Sequence, residues 1–118
     1  DILKKGGIII IICECREGLG NEEFRNIMRS VCSPQEFFKR YCDPKDFVMD
    51  QWCAQNIYQA MGHAGRVYIY SPGLSNNDVQ KMGAIKIKDI QKTVDELLPG
   101  KENVVVIPDG PYVVGMVN

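Results

Sequence analysis

Apolar positions along the chain fall either in unbroken runs or in one-sided stripes. Gly7 to Cys13 is an unbroken run of isoleucines behind a glycine pair. Apolar on both faces, it predicts a buried central strand of a parallel sheet. The segment Glu14-Cys15-Arg16-Glu17-Gly18-Leu19-Gly20 follows, and Asn21 is a good N-cap for a helix. Phe24, Ile27, Met28 and Val31 fall at i, i+3, i+4 and i+7, the stripe of a helix packed on one side. Ser33-Pro34-Gln35-Glu36 has the form of a capping box with proline at the first helical position. It opens a short helix carrying Phe37, Phe38 and Tyr41. Asp43-Pro44 predicts the start of a longer helix running to about Met61, closed by Gly62-His63-Ala64-Gly65.

Val67 to Tyr70 reads as a second strand, turned by Ser71-Pro72-Gly73. Ser75 to Met82 is a short helix stopped by Gly83, and Ala84 to Ile87 a short third strand. Ile90, Val94, Leu97 and Leu98 share one face of a further helix that Pro99-Gly100 ends. Val104 to Ile107 is the last predicted strand, before the turn Pro108-Asp109-Gly110-Pro111. Strands alternate with helices, which predicts one α/β domain over residues 1–118. The expected architecture is a three-layer, Rossmann-like sandwich with a mostly parallel sheet and strands near 7–13, 67–70, 84–87 and 104–107.

Composition narrows the function classes. Lys and Arg number 14 against 15 Asp and Glu, a net charge of -1, so there is no basic field for nucleic acid. The apolar run Ile8 to Cys13 is far short of the ~20 residues of a membrane helix. Five cysteines, an odd number with no compact framework, point to a reducing compartment, the cytoplasm. Asp1 to Lys5 reads as the last turn of a helix stopped by Gly6-Gly7, which predicts a piece of a longer protein.

Ligands of open parallel sheets bind at the carboxyl ends of the strands. Glu14 to Gly20 lies at such an end with a helix start behind it, so its N–H groups are candidates to hold a carboxylate or phosphate. Glycine in such a loop also serves turn geometry alone. On a helical wheel through Phe47 to Met61 the apolar stripe is Phe47, Ala54, Ile57, Tyr58 and Met61, with Trp52 on nearly the opposite side. A tryptophan there covers another domain, a ligand or a partner, or else packs under the Ser33 to Tyr41 helix. Cys13 and Cys15 place two sulfurs on one side of a strand end, but a metal needs more ligands. Cys32, Cys42 and Cys53 lack zinc-type spacing, so the cysteines read as small buried residues. His63 suits the negative end of a helix dipole and has no acid–base partner in its own segment. These residues contain neither a complete catalytic set nor a metal site of their own.

Gly6-Gly7 with its isoleucine strand, the Glu17-Gly18-Leu19-Gly20 loop and a helix carrying Phe24 resemble the C-terminal domain of the nickel-dependent lactate racemase family. Gln51-Trp52-x-x-Gln55 is similar to that domain's tryptophan helix. The segments Val67 to Gly83 and Val104 to Gly110 match in order and spacing, so the resemblance covers essentially the whole chain. It implies a two-domain parent that interconverts stereoisomers of lactate or a related 2-hydroxy acid. The implied cofactor is a nickel pincer nucleotide, tethered to a lysine, which takes the C2 hydride and returns it to either face. The family's catalytic histidines, tethering lysine and nickel-binding histidine lie in its N-terminal region, so this domain alone is expected to bind no cofactor and to be inactive. By the same resemblance Trp52 matches an active-site tryptophan, and Glu17, Gly18 and Gly20 face the interdomain cleft. The implied partners are the N-terminal domain of the same chain and a small 2-hydroxy acid, with neither nucleic acid nor membrane. Two other classes compete: a stand-alone nucleotide- or phosphate-binding module using Gly18 and Gly20, and a thiol or metal domain using Cys13 and Cys15.

Overall fold

The computed structural model describes residues 2–100 and 103–112. Three parallel strands, β1 (Ile8–Ile12), β2 (Arg66–Tyr70) and β3 (Ile85–Lys86), lie in the order β1-β2-β3. Between β1 and β2 come α1 (Glu22–Ser30), α2 (Pro34–Arg40), a 3-10 turn (Pro44–Asp46) and α3 (Gln51–His63). Helix α4 (Asn76–Lys81) joins β2 to β3, and α5 (Ile90–Leu97) follows. The α/β class and the parallel sheet are as the sequence predicts.

Local chemistry sets the helix starts. The side chains of Asn21, Ser33, Ser75 and Asp89 each accept an N–H three residues on. The capping box at α2 is displaced by one residue: Glu36 accepts the N–H of Cys32, not of Ser33, at 2.8 Å. Partners in a parallel register share a face. Ile9, Val67 and Ile69 of the sheet therefore pack with Ile27, Met28, Ala54, Tyr58 and Val79 from α1, α3 and α4. Phe37 of α2 stacks on Tyr58 at 4.8 Å, and the Tyr58 hydroxyl donates to the Val31 carbonyl at 3.1 Å. Burial pushes that hydroxyl up to about 12.

Helices α1 and α4 are joined by one charged cluster. Asp78 is buried, and its Oδ1 accepts from Arg29 Nε at 2.8 Å and Nη2 at 2.7 Å. Ser75 donates to the other oxygen at 2.7 Å. The Ser75 hydroxyl, and after it Arg29, hold the carboxyl below its usual range against the opposing effect of burial. A depressed folded value means this stability is present above the ordinary carboxylate pKa of about 3.9 and is lost as pH falls through the folded value. Asp78→Asn is expected to lower stability by about 2 kcal/mol at neutral pH, since hydrogen bonds to a charged group are at stake. Urea midpoints should show that gap closing below about pH 4; a gap that does not change with pH would refute the charge's role.

Four expectations need correction. Residues 104–107 form no strand: they join no ladder among the described residues, and Val106 is 81% exposed. Valine and isoleucine favour extended backbone, yet a strand also needs an edge to bond to. Among the described residues the isoleucine run forms an edge strand, not a central one, with Ile12 59% exposed. The helix expected from Asp43 to Met61 is broken: Asp43 caps only the 3-10 turn, and α3 begins at Gln51 after Asp50 adopts left-handed φ of 61°. Lys4 to Gly7 make a turn, with Gly7 N–H on the Lys4 carbonyl at 2.8 Å, rather than a helix end.

Candidate functional site

The loops after β1 and β2 are bonded backbone to backbone at the carboxyl edge of the sheet. The Glu14 carbonyl accepts the Gly73 N–H at 2.9 Å and the Ser71 hydroxyl at 3.0 Å. Beyond it the β1 loop coils tightly, with positive φ at Cys15 (46°), Gly18 (66°) and Gly20 (81°). The Gly18 N–H donates to Cys15 at 2.8 Å and the Gly20 N–H to Glu17 at 3.4 Å, while buried Leu19 anchors the coil. The glycine N–H groups thus have partners inside the loop, and the two glycines serve its left-handed turns. At α1, Asn21 occupies the Phe24 N–H, and Glu22 and Glu23 stand in the first turn. Those carboxylates oppose an anion at this helix end. Arg16 turns to Glu14 at 2.6 Å rather than to Glu17; both side chains are exposed, so the pair adds little stability.

The start of α3 meets this loop. Asp50 makes no cap bond to its own helix; its carboxylate accepts the Asn21 side-chain amide instead. Gln51 accepts the Val48 N–H at 3.2 Å and donates to the Tyr41 carbonyl at 3.1 Å, which fixes the bend before the helix. In the loop before Asn21, Glu17 and Gly20 are exposed and Gly18 is half-buried, while Trp52 follows Asp50 in the first turn of α3. Trp52 is 63% exposed, which excludes packing under α2. Phe47 and Met49 beside it are 69% and 66% exposed. An open groove of about 480 Å³ adjoins them, lined by Arg40, Tyr41, Lys45, Asp46, Phe47 and Val48.

Sequence reasoning singled out Trp52, with Gln51 in its motif, and the glycine loop; it missed Asp50 and Met49 and placed Phe47 on the apolar stripe, where the structure leaves it exposed. One signal was available: Asp50 is a cap-type residue immediately before Gln51-Trp52. A helix drawn through it hid that signal.

Elsewhere the candidates are structural or incomplete. The His63 ring nitrogen Nε2 lies 2.8 Å from the Leu3 carbonyl, a contact between the chain start and the end of α3. The Cys13 and Cys15 sulfurs stand 3.4 Å apart, half-buried, while Cys32 and Cys42 are exposed rather than buried. Among the described residues no group of three or more His, Cys, Asp or Glu could hold a metal ion. No helix among them is long and apolar enough to cross a membrane.

A family model described as the lactate racemase C-terminal domain matches residues 1–115. The chain belongs to that family. It is 29% identical to the lactate racemase of Lactiplantibacillus plantarum over 119 aligned positions, covering 91% of this chain and 26% of that protein. It is also similar to the structure of the lactate racemase apoprotein from Thermoanaerobacterium thermosaccharolyticum, with a TM-score of 0.68 and 26% identity. That match covers 85% of this chain and 24% of the other. The chain therefore spans about a quarter of the length of both proteins.

Proposed function

We propose that this domain is one wall of the active-site cleft of a 2-hydroxy-acid racemase or epimerase, with lactate or a close relative as substrate. The carrying observation is the exposure of Trp52, Phe47 and Met49 around the start of α3, where Asp50 is bonded to Asn21 at the end of the β1 loop. A monomeric domain rarely leaves such aromatic and aliphatic groups together in water. On this reading the N-terminal domain of the same longer chain lies opposite these groups, and Glu17, Gly18, Gly20 and Trp52 face the cleft between the two domains.

The metal and the reacting groups lie on that opposite side. The described residues do not fit a nickel site by themselves. A nickel pincer nucleotide bound elsewhere in the parent chain would supply the hydride-accepting chemistry. This domain's own residues do something different: Trp52 offers a broad apolar surface that excludes water from the cleft, and the bond from Asn21 to Asp50 ties the start of its helix to the β1 loop. The odd number of cysteines supports a reducing, cytoplasmic setting.

The test is direct. The native protein, loaded with cofactor, is incubated with one enantiomer each of lactate and related 2-hydroxy acids, and chiral chromatography follows the other enantiomer. Appearance of the opposite enantiomer supports the reading; a loaded protein that isomerises none of them overturns it.

A further inference from the structure

Cys13 and Cys15 are drawn together by a feature that the cleft does not require. At i and i+2 in extended backbone their Cα atoms would lie about 6.6 Å apart, with the side chains parallel. Here the sulfurs are 3.4 Å apart. The chain achieves this by holding Cys15 at φ 46°, a conformation that only glycine adopts readily. Three contacts impose it: the Gly18 N–H bonds the Cys15 carbonyl, while Gly73 and Ser71 bond the Glu14 carbonyl just before it. Strained backbone of this kind persists only where surrounding structure fixes it, and it concentrates at chemically active positions.

We propose that Cys13 and Cys15 form a reversible thiol–disulfide site that closes on reaction with a low-molecular-weight disulfide. Two sulfurs are half of a tetrahedral metal set, and no third ligand joins them among the described residues. A disulfide needs only the pair.

The order of steps follows from the surroundings. Burial, and next the neighbouring Cys15, push the Cys13 thiol up to about 11, so Cys13 stays protonated and Cys15 attacks first. The Cys15 thiolate forms a bond to one sulfur of the small disulfide, whose other sulfur leaves as a thiolate and takes up the proton that Cys15 lost. Cys13 then gives up its proton and attacks the Cys15 sulfur 3.4 Å away. The second small thiol leaves with that proton. The pair has lost two electrons and two protons, and one small disulfide has become two thiols.

Exposure by itself ranks the cysteines the other way, with exposed Cys32 and Cys42 reacting before the half-buried pair. Trypsin separates all the candidates, because the peptide from Gly6 to Arg16 holds Cys13 and Cys15 and no other cysteine. The native protein is treated with oxidised glutathione, alkylated after denaturation, digested and weighed by mass spectrometry. The expected result is a Gly6 to Arg16 peptide two hydrogens lighter than its reduced form, carrying no alkyl group and restored by dithiothreitol. At equilibrium it should exceed the glutathione adduct at Cys32 by about tenfold, given the high effective concentration of two tethered thiols. In Cys15→Ser the Cys13 thiol should remain open to alkylation, and Cys53→Ser should leave closure unchanged. Two alkyl groups, or two separate glutathione adducts, on that peptide in the natural sequence would overturn the proposal.

Discussion

Replacing Trp52 by alanine is expected to reduce kcat/KM for hydroxy-acid isomerisation by about 100-fold in the cofactor-loaded native protein, the scale at which loss of a positioning surface acts. The same change should move the urea midpoint by no more than about 0.5 kcal/mol of stability. The contrast follows from location. The indole is 63% exposed, outside a core built from Phe37, Ala54 and Tyr58, so truncation leaves no cavity. Trp52→Phe keeps an apolar ring at this position and should recover part of the activity. Chiral product analysis and chemical denaturation decide together. Full activity in the alanine variant would place the tryptophan outside the cleft. A large loss of stability would mean that it serves the fold.

The second large effect lies in the backbone contact behind the site. A Cβ on Gly73 would sit 1.8 Å from the Cys15 carbonyl oxygen, 2.4 Å from its carbon and 2.6 Å from the Glu14 oxygen. All three are main-chain atoms, so no side chain can rotate away. Gly73→Ala must push the β1 and β2 loops apart and break the 2.9 Å bond from Gly73 to Glu14. We expect a loss of about 3 kcal/mol, the upper part of the range for overpacking. Gly110→Ala is the control, since nothing lies within 4 Å of its added Cβ, and it should be neutral within about 0.5 kcal/mol. Equal urea midpoints for the two variants would show that the loops do not approach this closely.

Much of the fold was legible because its causes are local. Asn21, Ser33, Ser75 and Asp89 each bond an N–H three residues ahead, so the residue type and its immediate followers determine the helix start. The stripe of Ile27, Met28 and Val31 marks the buried face of α1 because helical spacing alone aligns those positions. The candidate site was legible only in part. Trp52 is out of place on an apolar wheel, which identified the residue but left open whether it packed under α2 or faced outward.

Contacts between distant segments decided the rest. Asp50 leaves the helical region and takes the amide of Asn21, 29 positions earlier, and the expected helix is divided there. The Cys13–Cys15 pair depends on Gly73, which approaches only once β2 lies beside β1. Residues 104–107 show the converse case: a valine run favours extended backbone, but pairing requires a partner edge that no local pattern supplies. The sequence by itself determined the order of helices and strands, the helix caps and the α/β class, since these rest on spacing and on bonds within a turn. Only the tertiary structure decided which strand is an edge, where α3 begins and which side chains stand exposed around its start. Those outcomes depend on hydrogen bonds and close approaches between segments that the chain brings together only on folding.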